Sequence, residues 1–165
     1  MKTKLAAVLT MGVSLLSNSV FADDAKGLKE EMIDHGRYVV KITGCNDCHT
    51  PGYVETAGAL PEDQWLTGNP VGFKGPWGVT YPVNLRLKLA GMTEQEWVKF
   101  AHSFEARPPM PWFNLRDMGE TDLRAVYQFI RSLGPKGEPA PAFVPPEKVA
   151  QYAYINFVPE QVKTQ

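Results

Sequence analysis

Cysteine is nearly absent from the 165-residue chain, which has two, and histidine is scarce, with three. Two cysteines cannot build the disulfide framework on which small secreted domains rest. An excess of one charge is missing as well. Seventeen basic residues face 18 acidic ones, so there is no basic footprint of the kind nucleic-acid binders carry and no cationic surface for anionic lipid. Long apolar runs are also lacking. The longest, Leu5 to Leu16, falls short of the ~20 residues that a bilayer span requires.

What stands at the N-terminus instead reads as a leader. Lys2 and Lys4 form a basic n-region, Leu5 to Leu16 an apolar h-region, and Val20-Phe21-Ala22 a small-residue cleavage site before Asp23. This predicts removal of residues 1–22 and export to the periplasm, with no membrane span left after cleavage; an uncleaved N-terminal anchor is the alternative. The leader takes two lysines and no acid with it, so the mature chain carries net negative charge. Its 14 glycines and 14 prolines make it rich in loops, yet 11% aromatic residues argue against wholesale disorder. Something must organise those loops.

Both cysteines fall in one place, Cys45-Asn46-Asp47-Cys48-His49. This spacing is the attachment signature of a c-type haem. Two thiols three residues apart reach the two vinyl groups on one porphyrin edge and form thioethers. His49 follows at once, so its imidazole projects from the same turn toward the iron. Three other readings compete. A thioredoxin-type dithiol usually sits in a βαβ pattern, which is not visible here. A zinc site wants four ligands, and His35 and His102 lack the spacing. A Cys45–Cys48 disulfide closes a very small loop and leaves His49 unexplained.

Three helices are expected. From Leu28 to Thr43, Leu28, Met32, His35, Val39 and Ile42 fall on one stripe at steps of three and four, and Gly44 is placed to cap that helix. His35 on this stripe reads as a packed or solvent-touching side chain. A second helix runs from Thr93 to Ser103, opened by the capping box Thr93-Glu94-Gln95-Glu96, with Trp97, Phe100, Ala101 and Phe104 on one face. A third spans Thr121 to Leu133, with Leu123, Val126, Tyr127, Ile130 and Leu133 as its stripe, and stops at Gly134-Pro135.

Between the motif and the second helix, residues 51–82 hold six glycines and five prolines. A structureless loop of this length is unusual in a compact domain. It carries Tyr53, Trp65, Phe73, Trp77 and Tyr81, which need burial, and a haem would offer the missing apolar surface. The remaining chemical feature is Pro108-Pro109-Met110-Pro111-Trp112. Prolines fix φ around Met110, so its thioether is presented at a defined point. Thioether sulfur is a soft ligand, and His/Met ligation raises the potential of a haem. As a plain surface loop, the same segment would use Met110 only to fill a gap.

Taken together, these stretches resemble the monohaem class I c-type cytochrome family, above all the periplasmic group related to cytochrome subunits of bacterial alcohol and sugar dehydrogenases. The resemblance covers roughly residues 33 to 146. It rests on Gly36-Arg37-Tyr38-Val39-Val40, the Gly44 to Pro51 stretch around the motif, Leu66-Thr67-Gly68, Val83-Asn84-Leu85, Pro108 to Trp112 and Asp122 to Tyr127. It implies an all-α fold of about three main helices with long loops around one covalent haem c, ligated by His49 and Met110. It also implies crossed first and last helices, with the Gly36–Val40 turn against the Tyr127 face. One departure stands out: Asn84-Leu85 is followed by Arg86-Leu87-Lys88 where relatives usually carry a Thr-Pro-Asp loop.

The expected organisation is therefore a leader (1–22), a cytochrome c domain (23–146) and a C-terminal tail (147–165) beyond the resemblance. In the tail, Tyr152 to Val158 alternate like a short strand, packing on the protein's own body or docking to a partner. The expected function is one-electron transfer without substrate turnover, between a periplasmic dehydrogenase as donor and an oxidase or another cytochrome as acceptor. With Met110 off the iron, the chain would instead be a haem-based ligand sensor or a peroxidase-like enzyme. A tightly bound dehydrogenase subunit is the third reading.

Overall fold

A computed structural model describes residues 13–159, with side chains from residue 26 onward. Along the chain lie α1 (Val13–Ile42), α2 (Cys45–His49), a 3-10 turn (Glu62–Gln64), β1 (Gly72–Gly75), β2 (Gly78–Thr80), α3 (Leu85–Ala90), α4 (Glu94–Ser103), α5 (Trp112–Arg116), α6 (Glu120–Leu133) and β3 (Tyr154–Asn156). Lys2, Lys4 and most of the apolar run of the expected leader lie outside the described residues. None of the described helices is long and apolar enough to cross a membrane.

α4 and α6 form close to their expected limits, whereas α1 ends where expected but begins at Val13, fifteen residues before the expected Leu28; three of these ends have a local cause. α1 stops where Gly44 takes a left-handed conformation, φ 72° and ψ 22°, which costs glycine nothing. α4 begins with the full capping box: Thr93 Oγ1 accepts from the Glu96 amide and the Glu96 carboxylate accepts from the Thr93 amide. α6 ends at Gly134.

α1 and α6 form the principal packing pair. They cross at Gly36, where a Cβ would collide with the Ala125 carbonyl and lie 2.8 Å from Phe129 Cβ. The face of α6 that meets Gly36 thus carries Ala125 and Phe129. Tyr127, expected at this contact, donates its hydroxyl to the Met92 carbonyl, in the link between α3 and α4, at 2.8 Å. The crossing buries Val39 and Val40 but leaves Leu28 and Ile42, the ends of the expected stripe, 64% and 60% exposed. Around it gather Leu66, Leu89, Trp97, Leu123, Val126 and Ile130. The Trp97 indole donates to the Leu123 carbonyl at 2.8 Å and ties α4 to α6.

The expectation of an all-α fold is incorrect. The described residues hold six helices and a three-stranded mixed sheet of order β2-β1-β3. β1 and β2 form an antiparallel hairpin with Phe73 opposite Thr80 and Gly75 opposite Gly78. β3, from the tail, lies parallel to β1, with Gly72 opposite Tyr154 and Lys74 opposite Asn156. The hairpin falls inside the stretch read as structureless, where glycine and proline dilute the alternation that marks a strand. Part of that stretch packs on the protein itself. Tyr53 and Trp65 are buried and meet edge to face, and Trp65 meets Phe129 in the same way. Three short elements, α3, α5 and the 3-10 turn, are too brief for periodicity to reveal.

Candidate functional site

The site is built on one helical turn. Cys45, Cys48 and His49 occupy positions i, i+3 and i+4 of α2, which share one face. Both cysteines are free and partly buried. Burial pushes both thiols above their ordinary pKa, assisted at Cys48 by the neighbouring Asp47 carboxylate. A reactive dithiol needs the opposite, a thiolate favoured by positive surroundings. The zinc reading finds no support either: among the described residues, no three His, Cys, Asp or Glu side chains converge.

His49 is 7% exposed, and its Nδ1 lies 2.7 Å from the Val83 carbonyl oxygen. A carbonyl only accepts, so Nδ1 carries the proton and the Nε2 lone pair remains unshared. Burial holds the imidazole below its ordinary pKa, partly countered by this hydrogen bond. A neutral ring with Nδ1–H engaged and Nε2 available is the usual state of a metal-ligating histidine. The other two histidines are engaged elsewhere. His35 Nε2 meets Asp122 Oδ1 at 2.7 Å across the α1–α6 crossing, and exposed His102 has Nδ1 2.8 Å from the Arg116 carbonyl oxygen.

Behind His49 the backbone is held on all sides. Its carbonyl accepts from the Gly68 amide at 2.9 Å. Thr50, buried next to it, donates to Asn46 Oδ1 and accepts from the Leu66 amide. Leu66 in turn accepts from the Leu85 amide at 3.0 Å. Asn84, Arg86 and the Val83 carbonyl are the parts of this site that sequence reasoning missed. A signal existed for Arg86, which stands where the resemblance breaks, between Leu85 and Leu87, and it is buried.

Met110 stands in the segment leading into α5, half-buried. Among the described residues Met118 packs against the central apolar cluster, whereas Met110 is not part of it. The proline segment is fastened at two points. Thr80 Oγ1 donates to the Pro108 carbonyl at 2.8 Å, and the Arg107 guanidinium lies 3.8 Å from the centre of the Phe143 ring. Thr80 and Val83 are three residues apart, a reach of roughly 10 Å at most. One short segment thus holds the Pro108–Met110 loop at one end and His49 at the other.

This donor set suits a covalently bound haem: two thiols and an imidazole on one face, a thioether on a fastened loop, and no competing carboxylate cluster among the described residues. Two buried side-chain donors, the Asn46 amide nitrogen within α2 and the Trp77 indole nitrogen, lack a protein acceptor among the described residues. Compared with known proteins, the chain matches no family model, no curated protein sequence and no solved structure.

Proposed function

We propose that the protein is a c-type cytochrome that carries single electrons through one haem c, bound covalently by Cys45 and Cys48 and ligated by His49 and Met110. The observation that carries this reading is the buried His49 ring, whose Nδ1–H is committed to the Val83 carbonyl one residue after a pair of free cysteines. Bound haem supplies a ferric–ferrous couple. The chain's own residues do the rest. Val83 sets the tautomer that leaves the Nε2 lone pair available, α2 places both thiols and the imidazole on one helix face, and Met110 would offer a soft second ligand that favours the ferrous state. Burial of His49 keeps water from its Nε2, which would bind the iron. No proton needs to move, because neither ligand changes protonation. The reading includes export to the periplasm, exchange of electrons with protein partners there, and no substrate turnover by this chain alone.

The test is direct. Protein purified from the periplasm of cells that make c-type haem is denatured and extracted with acid acetone. Haem that stays with the polypeptide, and is lost from the Cys45→Ala, Cys48→Ala double variant, supports the reading. Haem released entirely into the solvent overturns it.

A further inference from the structure

A closed circuit of hydrogen bonds surrounds His49, and one side chain at its rim has no part in the function proposed above. The His49 ring donates to the Val83 carbonyl. Two residues later the Leu85 amide donates to the Leu66 carbonyl, and the Leu66 amide donates to Thr50 Oγ1, which adjoins His49 in the chain. Leu66 is fully buried with φ 62°, a backbone state that persists in a leucine only when its surroundings enforce it. The acceptor that matters most is weakly anchored by packing, since the Val83 side chain is 46% exposed.

The anchor is Arg86. Its side chain is almost wholly buried and donates to three main-chain carbonyls: Leu133 and Gly134 at the carboxyl end of α6, and Asp63 at the 3-10 turn. Terminal carbonyls of this kind have no partner inside their own helix, and the helix dipole favours a cation there. A planar fork holds several such acceptors in one fixed geometry, which a flexible ammonium does not. The Asp63 carboxylate pairs instead with Lys136. Asn84 works from the other side, accepting from the Leu87 amide and donating to the Lys136 and Glu138 carbonyls. The corner at residues 83–86 is thereby tied by side chains to the end of α6.

Resting on the haem reading above, we propose that Arg86 is a positioning residue for His49. By pinning this corner to the end of α6, it keeps the Val83 carbonyl in line with Nδ1 and so fixes the ring orientation in which Nε2 would bind the iron. Without the fork the corner relaxes, and the Val83–His49 bond is the contact that loosens.

The experiment uses the full haem-loaded chain with nitrogen-15-labelled histidine and backbone. Solvent exchange and the nitrogen resonance of the His49 ring N–H are measured alongside the Val126 amide, in the wild type and in Arg86→Met and Arg124→Met. Arg124 pairs with Glu94 and Glu120 and links α4 to α6, so its loss reports a purely structural effect. In Arg86→Met the ring proton is expected to exchange roughly tenfold faster, a factor within what one weakened hydrogen bond supplies, and its nitrogen resonance to move. The Val126 amide should change far less, and Arg124→Met should leave the ring signal in place. A ring proton that is unaffected, or that accelerates only in step with Val126, overturns the assignment. If Arg86→Met does not fold, Arg86→Lys, which keeps the charge and loses the fork, is read by the same two outcomes. Wild-type protein without covalent haem overturns instead the function on which this rests, and is detected before any variant is compared.

Discussion

At the scale of single residues, two methionines near the proline loop separate chemistry from packing. Met118 packs against the central apolar cluster, whereas Met110 stays outside it, on a loop fastened by Thr80 to the segment that also holds His49. Met110→Ala should therefore leave covalent haem in place, abolish the long-wavelength sulfur-to-iron absorption band and admit carbon monoxide. The potential should fall by about 100 mV or more, within the roughly 0.8 V that axial ligands span. Met118→Ala should keep the band and the potential and lower stability by about 2 kcal/mol, the low end for Met→Ala in a core. Spectra and denaturation midpoints of the two variants check both halves, and exchanged behaviours would make Met118 the ligand. The candidate ligands were legible because the motif is local and the prolines adjoin Met110. The Val83 carbonyl was not. Every residue has one, and it meets His49 across 34 positions of sequence.

At the scale of elements, the α1–α6 crossing shows why a helix can be found from its stripe while its buried surface cannot. Steps of three and four located α1, but the crossing point was set by a residue without a side chain. Gly36 lets the Ala125 carbonyl approach α1, and Val39 and Val40 are buried beside it, while Leu28, eight residues before Gly36 and about 12 Å along the axis, remains exposed. Ala125 and Phe129 were left out of the α6 stripe for the same reason, because close backbone approach shifts the contact line around the helix. Gly36→Ala should cost about 3 kcal/mol, the upper end for overpacking, since the clash falls on main-chain atoms. Gly27→Ala, in the same helix with nothing within 4 Å of its Cβ position, should instead stabilise by up to about 1 kcal/mol through helix propensity. Urea unfolding of both variants checks the contrast. Equal effects would place the crossing elsewhere.

At the scale of the whole molecule, the tail closes the sheet that the all-α expectation omitted. β3 and Phe157 just after it contribute little core of their own: Tyr154, Ile155 and Phe157 are 42%, 52% and 46% exposed. What they do is cover β1. The Gly72 amide donates to the Ala153 carbonyl at 2.8 Å and the Phe157 amide to the Lys74 carbonyl at 2.7 Å. Phe73 meets Phe157 edge to face at 5.4 Å, and Tyr81 meets Tyr152 at 6.2 Å. Each aromatic pair is worth roughly 0.5–1.5 kcal/mol beyond its burial. Deleting residues 151–165 should thus lower stability by about 2 kcal/mol, and Phe157→Ala alone by about 1 kcal/mol. The hairpin should persist in both, because Val79 and Val144 still exchange two backbone hydrogen bonds, at 2.8 and 3.0 Å. Covalent haem should also remain, since neither change touches α2. Urea midpoints and the haem yield after acid-acetone extraction measure the two effects separately. A truncated chain as stable as the full one would mean that β3 contributes nothing to its own body, and the exposed row from Tyr152 to Val158 would then be left for a partner to cover.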